Sequence, residues 1–253
     1  MIIIHSEEEL KLIRVSNRIV AEVLHKLKEF TKPGITTEEL DTIAEELIRE
    51  RGGTPAFKGY KGFPAAICAS VNEQIVHGIP GPGILRDGDI ISIDVGAEYR
   101  GYFGDAAITV AVGKINPEKQ RLMKVTRESL FEGIKKATAK NRLSDISHAI
   151  QSYVENHGFS IVREFVGHGI GSSLHEEPQI PNFGKPGRGP RLKPGMVIAI
   201  EPMVNMGSYE VEIEQDNWTA IASDGKPSAH FEHTIIVTDK EPEIITLRKD
   251  SGS

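Results

Sequence analysis

Four carboxylates border apolar strand-like runs, where a lone charge is costly. Asp94 follows IISI, Asp105 opens DAAITV, Glu201 ends VIAIE and Glu232 precedes HTIIV. In IISIDVG, alternation puts Ile91, Ile93 and Val95 on one face and Ser92 and Asp94 on the other, so Asp94 leaves the core side. Each acid taken alone reads as a solvated or salt-bridged group. If all four converge on one centre, like charges that close would force protonation unless about two divalent cations balanced them.

Oxygen-rich ligation completed by one imidazole suits a pair of first-row divalent ions roughly 3.5 to 4 Å apart, which can activate water and polarise a carbonyl. Hydrolysis is the natural chemistry of such a set. The imidazole is expected from FVGHGIG, where glycines on both sides of His168 let the backbone approach closely. His77 in VHGIPG and His175 in SLHEEP sit in turn-like segments and, alone, read as surface histidines. Beside a metal pair, neutral imidazoles can donate to a developing oxyanion or handle a leaving amine. His5, His25, His148 and His157 lie near a terminus or in helical patterns and read as structural.

An internal repeat would bring these residues together. Ser6 with Glu9 is a capping box opening a helix to about Phe30, and Thr36 with Glu39 opens a second that stops at Gly52-Gly53. Strand signals follow, and then the helical pattern returns from Pro117 to about Ala139 and from Leu143 to about Asn156. A shift of 106 carries Leu40 to Ile146, Ile48 to Val154 and Gly52 to Gly158. A shift of 107 carries Leu85 to Leu192, Gly88 to Gly195 and Asp94 to Glu201. A third match sets DAAITV from Asp105 against EHTIIV from Glu232. The expected architecture is α/β (α+β), with two pseudo-symmetric halves and a curved, mainly antiparallel sheet covered by helices. With no separable linker, residues 1–253 read as one domain.

The bulk composition agrees. Charged residues make up 26% and hydrophobic residues 39%, and the net charge of −6 argues against nucleic acid as the main partner. Cys68 is the only cysteine, which excludes an internal disulfide and a thiolate-rich metal site and fits a reducing compartment. MIIIHSEEEL has too short an apolar run for a signal peptide, and no stretch has the length of a membrane span, so a cytoplasmic location is expected. The closing KDSGS reads as a polar terminus.

Asp94, then Asp105 eleven residues on, His168 in GHGIG, His175 seven beyond it, Glu201 in AIEP and Glu232 in FEHT form a pattern that resembles the type I methionine aminopeptidases of bacteria. The resemblance covers nearly the whole chain and implies the duplicated fold called pita-bread. It implies that Asp94 binds one metal, that Asp105 and Glu232 bridge two, and that His168 and Glu201 complete the other. The ions would be drawn from Co, Mn, Fe, Ni or Zn. Glu201 would act as general base, His175 would stabilise the tetrahedral intermediate, and His77 would contact substrate near the scissile amide. Tyr60, Phe63, Cys68 and Trp218 would wall a narrow, polarizable slot for the methionine side chain. The implied substrates are N-terminal methionyl peptides of nascent proteins with a small second residue. Ribosome association follows from the family role alone, and a monomer is expected.

Three positions depart from the family pattern: Leu174 for a frequent phenylalanine, Phe63 for a frequent tyrosine, and Gly96 for a frequent threonine. They bear on pocket shape rather than on ligands. Two alternatives remain open at this stage: a proline-specific peptidase of the same fold, such as an Xaa-Pro aminopeptidase, and a binding protein that kept the fold without catalysis. The first usually carries an extra N-terminal domain, and the second would be expected to lose ligands.

Overall fold

The computed structural model describes residues 2–247, so the closing KDSGS lies outside the described residues. Helix α1 (Glu7–Phe30) opens on the expected capping box, with Ser6 accepting from the Glu9 amide and the Glu9 carboxylate accepting from the Ser6 amide at 2.7 Å. Helix α2 (Thr37–Glu50) does the same with Thr36 and Glu39. Short strands follow: β1 (Thr54–Pro55), β2 (Ile67–Val71) and β3 (Gln74–Val76). The long hairpin of β4 (Ile90–Tyr99) and β5 (Tyr102–Ala111) completes the first half.

The second half repeats the order. Helix α3 (Pro117–Ile134) ends five residues before the expected Ala139, because Lys136 and Ala137 donate to the carbonyls of Gly133 and Ile134 and tighten the chain into a turn. Helix α4 (Leu143–Asn156) has the expected bounds. After it come β6 (Ser160–Ile161), β7 (Gly167–Gly169), β8 (Glu176–Ile180), β9 (Val197–Ile200) and β10 (Met203–Asn205). The last five strands are β11 (Val211–Ile213), β12 (Ala220–Ala222), β13 (Ser228–His230), β14 (His233–Ile236) and β15 (Glu243–Ile244). All pairings among the described strands are antiparallel, and they fall into four pieces: β1-β4-β2 with β5 on β4, β13-β10-β6, β11-β12-β3, and β15-β14-β9-β7-β8.

The duplication is visible in individual hydrogen bonds. The Leu85 amide donates to Ile35 and the Leu192 amide to Asn141; Thr37 donates to Gly83 and Leu143 to Pro190. Isolated bridges join Thr36 to Ile84 and Arg142 to Arg191, again shifted by 106 and 107. The third sequence match needs a correction. Ile93 faces Ile108, whereas Ile200 faces His233, so the repeat offset on these strands is 125, and the ladder equivalent of Glu232 is Ala107 rather than Asp105. Phe231 and Glu232 belong to no strand, and at this break Glu232 donates its amide to the Ala107 carbonyl. The two acids reach one place from positions two residues out of strict repeat.

Each half has its own apolar core. Val20, Leu27, Leu40 and Ile48 pack on Ile67, Ile91 and Ile93, while Leu122, Ile146, Ile150 and Val154 pack on Ile198, Ile200 and Ile235. A fully buried Leu or Ile contributes about 1.5–3 kcal/mol, so each half-sheet is held firmly behind the acids that it carries. A smaller cluster of Ile13, Phe57, Phe63, Cys68, Ile170 and Leu174 lies in contact with Tyr60 and Trp218.

Helix α1 rests directly on β5 at Gly104. A Cβ there would lie 2.6 Å from the Asn17 amide nitrogen and 2.7 Å from the Ser16 carbonyl carbon, both rigid backbone. Gly104→Ala must therefore push α1 off the strand one residue before Asp105. It is expected to cost about 1–3 kcal/mol, read as a lower thermal midpoint, and an unchanged midpoint would show that the helix gives way freely.

Candidate active site

Antiparallel pairing places the acids. In the β4/β5 hairpin Asp94 lies opposite Ala107 and Asp105 opposite Gly96, so the two carboxylates sit diagonally on one face. Cys68 of β2 is the other cross-strand partner of Asp94. Glu201 directly follows β9, and Glu232 directly precedes β14. Gly167 and Gly169 flank His168 with no room for side chains: a Cβ would lie 2.4 Å from the Ala199 and Glu177 carbonyl oxygens respectively. This is the close backbone approach expected of that motif.

The side chains of all four acids and His168 meet. Ligand atoms of Asp105, His168 and Glu232 lie within 4.8 Å of one another. His168 Nε2 is 3.5 Å from Glu201 Oε1 and 3.8 Å from Asp105 Oδ2. Its Nδ1 is 2.9 Å from the Gly169 carbonyl, so Nδ1–H donates there and the Nε2 lone pair faces the acids. The Asp94 and Asp105 carboxylates are neighbours, and the charge of Asp94 helps to raise Asp105.

Burial raises every acid of the cluster. Asp94 is pushed up to about 7 by desolvation, and Asp105, Glu201 and Glu232 stand well above the ordinary carboxylate range, through desolvation first and then through one another's charge. Burial lowers His168 to about 4, so the ring is neutral at pH 7. Asp94 Oδ1, Asp105 Oδ1 and Glu232 Oε1 are buried without a hydrogen-bond partner. Unpaired buried oxygens of this kind are rare. Carboxylate oxygens beside one imidazole fit divalent cations.

One cavity of about 280 Å³ is lined by all eleven residues singled out in the sequence. Beside the five just described are His77, His175, Tyr60, Phe63, Cys68 and Trp218. His175 lies above His168, ring centroids 4.3 Å apart, and its Nδ1 is 2.9 Å from the Tyr60 hydroxyl. The Trp218 ring meets Phe63 edge-on at 5.2 Å. His77 holds a left-handed backbone (φ 60°), a conformation that costs energy for a residue other than glycine and recurs at functional sites, with its ring edge-on to Phe165 at 5.2 Å. Cys68 is raised well above its ordinary range by burial and then by Asp94, so it stays a thiol and forms part of an apolar wall.

Three contributors escape the sequence reading. Phe57 fills the place of the missing side chain at Gly96, where a Cβ would lie 2.5 Å from the Phe57 ring; the departure from threonine is thus made good by a neighbour. His230, fully buried, has Nε2 4.0 Å from Glu201 Oε2 and no hydrogen-bond partner. Its position two residues before Glu232 was the available signal. Asp41 of α2 accepts from the Ala66 and Ile67 amides at 2.8 and 3.0 Å and so tethers the start of β2, which carries Cys68.

Residues 11–239 match metallopeptidase family M24. Methionine aminopeptidase 1 of Bacillus subtilis is 57% identical over 97% of this chain and 99% of its own length. A methionine aminopeptidase of Clostridium perfringens is 56% identical over 98% and 100%. The crystal structure of a methionine aminopeptidase from Thermotoga maritima superposes with a TM-score of 0.97 at 44% identity, covering 98% of this chain and all of that one. A prolidase from Pyrococcus furiosus shares the fold alone, with a TM-score of 0.81 at 22% identity, and this chain spans 66% of its length. The two-half architecture is the pita-bread fold, and with divalent-metal use implied by the family and by the geometry, the chain belongs to the M24 metallopeptidases.

Proposed function

We propose that this chain is a methionine aminopeptidase that removes the N-terminal methionine from nascent proteins with a small second residue, with two divalent ions held by Asp94, Asp105, His168, Glu201 and Glu232. The observation that carries this reading is the convergence of five ligand side chains, two histidines and an apolar wall on one cavity. Full-length relatives bearing that name, at 56–57% identity, support it over the proline-specific alternative. Four formal negative charges match two divalent ions, and any of Co, Mn, Fe, Ni or Zn satisfies the donor set. A cavity of about 280 Å³ is near the lower limit for ligand sites, which suits a single side chain.

When bound, the ions would supply Lewis acidity toward the scissile carbonyl and a nucleophile from water. The protein supplies the rest. Glu201, beside the cluster at the end of β9, would take a proton from the attacking water and release it. If the Tyr60 hydroxyl donates to His175 Nδ1, the Nε2–H is left to donate to the developing oxyanion. His77, lowered by burial, is neutral at pH 7 and faces the same cavity, in reach of the scissile amide. Tyr60, Phe63, Cys68 and Trp218 exclude water from the thioether and hold it in contact with aromatic faces. The enzyme would act as a single-domain cytoplasmic monomer meeting its substrates at the ribosome. No described helix is long and apolar enough to cross a membrane.

Release of methionine from a Met-Ala-Ser peptide in the presence of Mn²⁺ tests the reading, and no release with any of the five metals would end it. Glu201→Ala should lower turnover by about 10²–10⁴-fold with an unchanged far-UV circular dichroism spectrum. Trp218→Ala, which opens the apolar wall, should lower kcat/KM for methionyl peptides by about tenfold, measured against the same peptide.

The crowded acids also set a pH dependence of stability. Groups raised on folding contribute fully below their unfolded values and lose that contribution as pH climbs through the folded ones, about 7 for Asp94. His168 and His230, lowered by burial to about 4 and about 3, run the other way, but only below their unfolded value. Above about pH 7.5 the histidines are neutral in both states and the acids alone remain. In EDTA the thermal midpoint should therefore be lower at about pH 8.5 than at about pH 7.5, because Asp105, Glu201 and Glu232 stand well above the ordinary range, and saturating Mn²⁺ should remove the fall. A midpoint that is flat in EDTA across this range would contradict the buried-acid account.

A further inference from the structure

His5 reads as a near-terminal structural residue from sequence, yet its side chain is only 1% exposed and its Nε2 is 3.5 Å from Glu176 Oε2, itself 6% exposed. Glu176 is the residue after His175. The segment ahead of α1 is fixed in place: the His5 amide donates to the Gly195 carbonyl at 3.0 Å, in the turn that leads into β9, and Ser6 caps α1. The ring packs against Gly171, where a Cβ would stand 2.2 Å from His5 Cε1 and 2.4 Å from Nε2. Gly171 begins the short loop from His168 to His175, and its carbonyl accepts from Phe103, two residues before Asp105.

Within that loop the other oxygen of Glu176 accepts from the Ser172 hydroxyl and the Ser173 amide, both at 3.0 Å. Glu176 is thus the polar anchor of residues 171–176. From outside the loop, His5 makes an ion-pair contact with it. His175 itself is exposed, held by the Tyr60 hydroxyl and by stacking on that ring with centroids 5.3 Å apart. Those contacts hold the ring, and the loop backbone sets the point from which the side chain reaches them.

We propose that His5 is a positioning residue for the reaction: by holding Glu176 and seating on Gly171, the arm before α1 fixes the loop that presents His175 to the substrate. The proposal rests on the methionine aminopeptidase reading for its kinetic consequence, though not for its structural one. The contact is 171 residues long in sequence and joins the first described segment to a loop at the mouth of the cavity.

A misplaced catalytic group lowers the rate more than it weakens binding, so His5→Ala is expected to reduce kcat for Met-Ala-Ser by about tenfold, with KM and Mn²⁺ affinity nearly unchanged. His5→Gln, which keeps a donor on a side chain of similar reach, should recover most of the loss. In a His175→Ala background His5→Ala should have no further effect on kcat, whereas general destabilisation would multiply the two losses. Hydrogen exchange at Ser173, whose amide is held by Glu176, should speed up in His5→Ala at a pH where the chain remains folded. Multiplicative losses in the double variant, or wild-type kcat in His5→Ala, would overturn the proposal. If the wild-type chain releases no methionine, the proposed function fails on its own, and the role of the arm is then decided by Ser173 exchange: unchanged protection rejects it, and faster exchange upholds it.

Discussion

Four carboxylates held together away from bulk water are the constraint around which this chain is organised. Bringing like charges to one buried place opposes folding, because each is desolvated and each repels the others. The upward shifts of Asp94, Asp105, Glu201 and Glu232 are the direct expression of that opposition. Something must hold the acids in place against it, and the two helix-backed half-sheets do so. Each presents two acids at a strand or beside one, and each is anchored by its own apolar core. Gene duplication suits such a problem, since a unit that can carry two acids on a stable sheet yields four when a second copy faces it.

Close backbone packing supplies the remaining precision. Gly104 lets α1 touch β5 beside Asp105, while Gly167 and Gly169 let neighbouring carbonyls close in on His168 from both sides. A ligand on a strand flanked in this way has little freedom, and the Gly169 carbonyl fixes which ring nitrogen faces the cluster. The slot beside the acids is built differently, from side chains that interlock. Phe57 occupies the space that a residue larger than Gly96 would claim, and Trp218 stands edge-on to Phe63. Changes of residue type there can offset one another without disturbing the ligands behind them.

What the sequence made legible was local or periodic. Capping boxes fixed both helix starts of the first half, and a constant offset related helices and strands because a repeated unit repeats its turns as well as its apolar faces. The four acids and His168 were found because each breaks an apolar or glycine-bounded pattern. The two-residue slip that separates Asp105 from the ladder equivalent of Glu232 was not legible, since the break at Phe231 and Glu232 leaves no mark in alternating hydrophobicity. Phe57 and His5 were hidden for a related reason. Their roles are defined by what lies against them in space, Gly96 for one and Glu176 with Gly171 for the other, and no local pattern encodes a partner so distant.

The chain could have neutralised its acids with its own cations, and it does not. Among the lysines and arginines of the described residues, the cavity lining includes Lys61 alone, and that side chain is exposed, with Nζ over the Tyr60 ring at 5.3 Å. The histidines nearest the acids are held neutral by burial, and the one cysteine is kept a thiol. An internal Lys or Arg would have relieved the repulsion and filled the space in one step. Withholding it leaves a buried negative site with unpaired oxygens, a demand that cations from solution must meet. Because the same oxygens face the slot, positive charge bound there lies where a carbonyl entering the cavity would develop negative charge. Repulsion among the acids and affinity for cations are in this sense one property of the cluster, and in the proposed function the aromatic walls, the Gly96 and Phe57 pair and the arm at His5 would keep that property aimed at a single bond.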